Sequence, residues 1–321
     1  MKQADENTGL MVEMAYLYYE KQMSQQEIAD MLFFSRSKVS RLLTQAMSDK
    51  IVEVSINYPL DRCEEIELKM KKIFNLNEVI IIKNYYTSKE ILLKRIGKAA
   101  AQYLDEIITY RMPIGITWGG SVYHTVEAMK PKHKKDIEVI QMMGVTYYGK
   151  NSAYNSPELL RLMVEKYGGS CSQIYSPLVV ENDIVRDSLM REPVIKWALE
   201  QARKVEVVLT SVGEFYNSKT MAWEEHLTEE TKRRLMRENT AGVLLAHFIN
   251  KEGKLADKQL DKQVIGISLE DLKKIPNVVL VAAGEIKKTA VLGALRGGYV
   301  NTLIIDEKLA KSVLSLYECV R

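Results

Sequence analysis

Two groups of residues in this chain have types and spacings that could do chemistry. The first lies in SQQEIADMLFFSRSKVSR, residues 24–41, where Arg36, Ser37, Lys38, Ser40 and Arg41 fall within six positions of one helical pattern. All five are donors or donor–acceptors. Guanidinium and ammonium groups suit phosphate oxygens or guanine edges, and serine hydroxyls serve either partner. Residues 1–60 carry six bases against eight carboxylates, yet residues 36–50 hold four of those bases and one acid, Asp49. Charge concentrated in this way can dock on phosphates, whereas evenly spread charge is a solvated face. The second group is a set of glycine-bearing turns: Thr117-Trp118-Gly119-Gly120-Ser121, Ser211-Val212-Gly213-Glu214 and Ala283-Gly284-Glu285, the last followed by Lys287. Glycine lets backbone approach an anion closely, helix-start amides and hydroxyls donate to it, and an ammonium neutralises it.

Other chemistry-like patterns fail on their own terms. Gly144-Val145-Thr146-Tyr147-Tyr148-Gly149-Lys150-Asn151 nearly matches a nucleotide-phosphate loop. It ends in Asn151 where a magnesium-binding hydroxyl belongs, and it holds two bulky tyrosines. His124, His133, His226 and His247 form no H-x-x-x-H pair and lie near no cysteine, so neither a metal nor a cofactor is expected. There is no G-x-S-x-G elbow, and Ser121 has no paired base, so no catalytic residue is assigned. Trp223-Glu224-Glu225-His226 reads as a solvated helix start, and Lys132, Lys134 and Lys135 as a run that caps a helix end or loop.

The elements that must position the first group are short and well marked. A helix is expected from about Gly9 to Gln22. A second opens at Ser24, with Glu27 completing a capping box and Met23 and Ile28 forming a hydrophobic staple. A third opens at Ser35, with Phe34 and Val39 as its staple. Ile28, Ala29 and Leu32 followed by Val39 and Leu42 have the spacing that packs these two helices steeply. Val52, Val54 and Ile56 then alternate with Glu53 and Ser55, as in a half-buried strand. Three helices and a strand make a winged helix-turn-helix. Its third helix would present Ser35, Arg36, Ser37, Lys38, Ser40 and Arg41 to the major groove, and Gln25 and Gln26 would touch the backbone. The competing use of such a motif is protein–protein contact, with the serines only capping. Phe33 occupies the turn position where glycine is frequent. A left-handed residue there costs on the order of 1 kcal/mol, unless the turn takes another shape or Phe33 and Phe34 offset the strain by packing.

The second group needs a larger frame. The 321 residues are 46% hydrophobic and 27% charged, with 17 glycines, 7 prolines and a formal charge of +3, which excludes disordered, collagenous and low-complexity architectures. No apolar run is long enough to span a bilayer. The polar N-terminus carries no export signal, and three scattered cysteines fit a reducing cytoplasm, so a cytoplasmic location is expected. Residues 61–75 read as a helix with Cys63, Ile66, Met70 and Ile73 on one stripe, facing either the core or a second subunit. Beyond it, apolar strands are expected at Val79–Ile82, Pro113–Trp118, Ile137–Met143, Val205–Ser211, Ala241–Ile249, Val278–Ala283 and Asn301–Ile305, separated by helices. That alternation predicts a mostly parallel sheet covered on both faces. Ligands of such sheets sit beyond the carboxyl ends of the strands, where the three turns lie.

SQQEIADMLFFSRSKVSRLL resembles the DNA-binding segment of the SorC family of bacterial sugar-responsive transcription regulators. AAGEIKKTAVLGALRGGYVNTLIIDEKLA, NSPELLRLMVEKYGG and YSPLVVENDIVRDSLMREP are similar to that family's effector domain. The likeness covers nearly the whole chain and implies an α/β fold related to ribose-5-phosphate isomerase and glucosamine-6-phosphate deaminase. It further implies that the Gly119–Ser121 loop and Lys287 hold a sugar phosphate, and that the protein assembles as a dimer or tetramer. Ser211 and Ala283 depart from glycines expected in the family, and Val243, after Gly242, stands where an acid is usual.

The resulting expectation is a DNA-binding domain over residues 1–57 and an effector-binding and oligomerisation domain over 58–321. Its partners are operator DNA, a phosphorylated sugar or polyol, and further copies of the chain, with no membrane. Effector contacts are expected from Gly119, Gly120, Ser121, Gly213, Glu214, Gly284, Glu285 and Lys287. The alternative is a sugar-phosphate isomerase or deaminase carrying a DNA-binding head, for which an acid and a base, Glu214 and Glu285, would have to converge at the turns.

Overall fold

The computed structural model describes residues 2–52, 60–85, 88–131, 135–145, 154–215 and 227–319. Its backbone divides into two units, Met1–Tyr58 and Pro59–Arg321. Among the described residues no helix is long and apolar enough to cross a membrane.

In the first unit α1 (Lys2–Ala15) begins seven residues before the expected Gly9 start and widens into a π-helical stretch, Tyr16–Glu20. α2 (Gln25–Met31) starts on a reciprocal capping box. The Ser24 hydroxyl accepts the Glu27 N–H at 3.3 Å, and the Glu27 carboxylate accepts the Ser24 N–H at 2.8 Å. α3 (Arg36–Ser48) starts on Ser35, whose Oγ accepts the Lys38 N–H at 3.3 Å. Met11, Met14, Ile28, Ala29, Val39, Leu42, Leu43 and Ala46 form the core between the three helices, with Met23 and Phe34 packed at its edge. Phe33 is left-handed, φ 56°, and 94% exposed, so its ring does not offset the strain by packing; only Phe34 turns inward. Ile51 and Val52 do not begin the expected strand. Both donate to the Ala46 carbonyl and bend onto the helical core. Residues 53–59, which include the rest of that strand and Pro59, lie outside the described residues.

The second unit contains β1 (Glu78–Ile82), β2 (Pro113–Ile116), β3 (Ile137–Gln141), β4 (Gly169–Ser172), β5 (Val207–Thr210), β6 (Val212–Glu214), β7 (Thr240–Leu244), β8 (His247–Asn250), β9 (Asn277–Ala282) and β10 (Thr302–Asp306). Seven of them form one sheet in the order β1-β10-β9-β5-β2-β3-β4, with every neighbouring pair parallel. Alternate residues of its strands feed two apolar cores on opposite faces. Val279, Val281 and Ile304 enter one, and Val278, Leu280 and Ile305 the other. Burial on both faces is why these strands read as unbroken apolar runs. Helix Glu64–Phe74 places Met70 and Cys63 in the core, with Ile66 and Ile73 packed beside them, so its stripe is internal.

Two expectations about the sheet need correction. Ala241–Ile249 is not one parallel strand. It is the β7–β8 hairpin, which turns at Leu245 and Ala246, both at positive φ, and pairs antiparallel with β6 in a separate three-stranded sheet. Consecutive apolar residues across a two-residue turn gave no punctuation in the sequence. Ser211–Glu214 is accordingly not a strand-to-helix turn: β6 starts there, directly after β5. The sheet also gains an edge strand, β4, whose sequence Gly-Ser-Cys-Ser carries no apolar signal.

Candidate functional site

β9, β5 and β2 are adjacent, so the segments leaving them lie side by side at the carboxyl end of the sheet. After β2 the chain turns through Gly119, at φ 121°, into helix Gly120–Ala128. The first helical bond runs from the Tyr123 N–H to the Gly119 carbonyl, and no side chain among the described residues caps the helix, so the Gly120, Ser121 and Val122 amides remain as donors. A Cβ built on Gly119, Gly120 or Gly284 would meet nothing within 4 Å, so there is open space in front of these turns. The Ser121 Oγ is buried, with no hydrogen-bond partner among the described residues. A helix N-terminus with free amides and an unsatisfied hydroxyl is a donor array facing its own positive dipole end, the arrangement that favours an anion.

Lys287 ends a short 3-10 turn, Glu285–Lys287, that leads into helix Lys288–Arg296. Its Nζ donates to the Ser211 Oγ at 3.2 Å, so the serine standing where glycine was expected holds the lysine in place. Thr117 and Thr210 continue this chain of contacts, the Thr117 hydroxyl donating to Thr210 Oγ1 at 3.3 Å. The β2 turn, the end of β5 and the lysine after β9 are thereby tied together. Half-buried Lys287 forms no ion pair with a carboxylate among the described residues. Desolvation, with Lys89's positive charge adding to it, brings its ammonium from 10.5 down to about 8. Gly284, at φ 92°, donates its N–H to the buried Asp306 carboxylate at 2.6 Å, which fixes the turn beside the lysine.

The remaining candidates are distributed differently. The Glu285 carboxylate is exposed and turned to the outside, accepting from Ser312 Oγ at 2.9 Å and Lys288 Nζ at 3.4 Å, contacts that hold it below the usual carboxylate range. Gly213 and Glu214 lie within β6, opposite Val243 and Gly242 of β7. Lys135 donates to the Asp105 and Ile108 carbonyls at 2.8 and 2.7 Å, capping the end of helix Lys89–Ile107. Lys132, Lys134, residues 146–151 of the nucleotide-loop-like pattern and Trp223–His226 lie outside the described residues. Gln141 and Asn155 carry no sequence signal for a site; both have buried polar atoms near the β2 turn with no partner among the described residues.

In the head, Arg36, Ser37 and Arg41 are exposed on α3 and Ser40 is half-buried. Arg36, Lys38 and Arg41 pair with no carboxylate among the described residues. Lys38 stands over the Phe34 ring, 3.8 Å from its centroid, a cation–π contact. Ser35 is committed to capping, with its Oγ 3.0 Å from Ser37 Oγ. Gln26 donates to Asp30 at 2.8 Å, and Gln25 is half-buried at the start of α2.

The family model "Putative sugar-binding domain" matches residues 58–315, most of the chain. The chain belongs to the SorC family of transcriptional regulators that carry this domain. It is 26% identical over 310 residues to the deoxyribonucleoside regulator of Bacillus subtilis, covering 97% of this chain and 98% of that one. The crystal structure of the full-length sorbitol operon regulator SorC from Klebsiella pneumoniae superposes with a TM-score of 0.72 at 25% identity, over 96% of this chain and 99% of that one. A transcriptional regulator from Streptococcus pneumoniae TIGR4 gives 0.76 at 28% identity, over 79% and 97%. In this family these relatives are regulators of transcription, not enzymes. The match to the full-length regulator extends through the three-helix head as well as the sheet.

Proposed function

We propose that this chain is a sequence-specific DNA-binding regulator of a carbohydrate-utilisation operon, with operator affinity controlled by a phosphorylated sugar or polyol. The observation that carries the reading is an uncapped helix N-terminus at Gly119–Ser121, after β2, and a lysine after β9, Lys287, that pairs with no carboxylate among the described residues, the two linked through Ser211 and Thr210 at the end of the intervening β5. The effector phosphate takes the Gly120–Val122 amides and the Ser121 hydroxyl, and the Lys287 ammonium neutralises it. In the head, a winged helix-turn-helix, α3 enters the major groove. Arg36, Ser37, Ser40 and Arg41 face base edges and phosphates there, with Lys38 on a phosphate. Residues 1–57 bind DNA, and residues 58–321 bind effector and join copies of the chain into a dimer or tetramer, so that two heads meet two half-sites. Effector changes operator affinity through its unequal affinity for two arrangements of the heads. Two relatives are named for deoxyribonucleosides and for sorbitol, so pentose and hexitol phosphates are the effectors to test first. A thermal-shift screen of the full-length protein against such phosphates tests the reading. A ligand at 100 times its Kd stabilises the folded state by about 2.7 kcal/mol, and a panel that leaves the transition unmoved refutes it.

A further inference from the structure

Gln141 closes β3 with its side chain fully buried. Its Oε1 accepts the Ile174 N–H at 3.1 Å, which fixes the orientation of the amide and directs Nε2 the other way. That Nε2 is buried and has no hydrogen-bond partner among the described residues. A buried donor left unmade is costly, so its retention calls for a partner beyond the described residues, which a bound ligand supplies.

Asn155 shows the complementary defect. It occupies the N-cap position of helix Ser156–Tyr167, where asparagine ordinarily accepts from the first-turn amides, yet its side chain makes no cap bond. Its Oδ1 is buried and unpartnered among the described residues. Both residues flank the same turn. Gln141 is the register partner of Ile116, three positions before Gly119. The residue before Asn155, Tyr154, accepts the Gly119 N–H at 3.3 Å.

One orphan is a donor and the other an acceptor, which a hydroxyl satisfies at once by accepting from one and donating to the other. A phosphate oxygen, which only accepts, would be repelled by Asn155 Oδ1. We propose that Gln141 Nε2 and Asn155 Oδ1 read a hydroxyl group of the effector, beside the phosphate position formed by Ser121 and Lys287. The pair sets specificity for a polyhydroxylated carbon chain over other phosphate monoesters, and it rests on the effector reading given above.

Isothermal titration of the full-length protein with inorganic phosphate, ribose 5-phosphate, 2-deoxyribose 5-phosphate, fructose 6-phosphate and glucitol 6-phosphate tests this. Asn155→Ala weakens the preferred sugar phosphate about five- to tenfold, the loss of one or two neutral hydrogen bonds, and changes inorganic phosphate less than twofold. Because no cap bond is lost, its ligand-free melting temperature is not lowered; a purely structural role would lower it. Gln141→Met removes the donor without placing a charge beside the phosphate, and it shows the same selectivity for the sugar phosphate. The Asn155→Ala penalty disappears for an analogue lacking the hydroxyl that is read. Equal weakening of inorganic and sugar phosphate, or no weakening of either by both variants, overturns the proposal. If none of the sugar phosphates binds the unsubstituted protein, the effector reading itself falls, and this pair with it.

Discussion

Lys287 makes effector affinity dependent on pH in a way that can be worked out in advance. Burial lowers its ammonium to about 8 in the ligand-free protein, and a bound phosphate dianion restores it toward or above the ordinary value of 10.5. Binding at alkaline pH must therefore take up a proton. With a free pKa of about 8, the affinity penalty is a factor of about 1.1 at pH 7 and about 11 at pH 9, so Kd rises about tenfold between them. The ligand confuses the measurement little, because the second phosphate ionisation, near pH 6, is about nine-tenths complete at pH 7. The same group has the opposite sign for stability. Its folded pKa lies below its unfolded one, so the cost of the buried charge is fully present below pH 8 and is relieved as pH rises from 8 to 10.5. That cost is on the order of 3 kcal/mol. Lys287→Met is thus expected to raise the ligand-free melting temperature at pH 7 while removing both effector binding and its pH dependence. Titration calorimetry at pH 7, 8 and 9 in buffers of matched ionic strength is the assay. A flat wild-type profile, or the same tenfold rise in Lys287→Met, refutes the role given to the lysine.

Two further expectations concern the head. Arg36→Ala and Arg41→Ala each weaken operator binding and each reduce the slope of log affinity against log salt by about 0.9 if the side chain contacts a phosphate, or relax base preference if it reads an edge; unchanged binding across a salt titration counts against the groove assignment. Phe33→Gly stabilises the head by on the order of 0.5–1 kcal/mol in chemical denaturation, since relief of a left-handed phenylalanine exceeds the added entropy of the unfolded chain and the exposed ring has little packing to lose. Destabilisation would show that the ring is covered in solution.

What the sequence made legible follows from where the physics is local. The caps at Ser24 and Ser35 are three-residue devices, and both form with the partners their spacing specified. Apolar runs such as Val278–Ala282 disclosed strands because both faces are buried. β4 could not be read in this way: its residues are small and polar, and backbone pairing with β3 alone defines it. The β7–β8 hairpin hid inside one apolar run because Leu245 and Ala246 make its turn without glycine or asparagine. At the site, Lys287 and the Gly119–Ser121 turn were marked by residue type. The lysine's anchor, Ser211, reads in the sequence as the start of a glycine-bearing turn and a departure from the family's glycine, and its role emerges from the adjacency of β5 and β9. Gln141 and Asn155 carry no local signature at all, because an unmade hydrogen bond exists only relative to the folded surroundings.

A sugar phosphate bound at the sheet end is expected to control DNA affinity. Fluorescence anisotropy of the full-length protein on duplex DNA from upstream of its own operon, with and without the phosphate found in the thermal-shift screen, measures that coupling. A change in operator Kd of about 5- to 150-fold at saturating effector is predicted, absent in Lys287→Met. An operator Kd that is the same with and without saturating effector contradicts it.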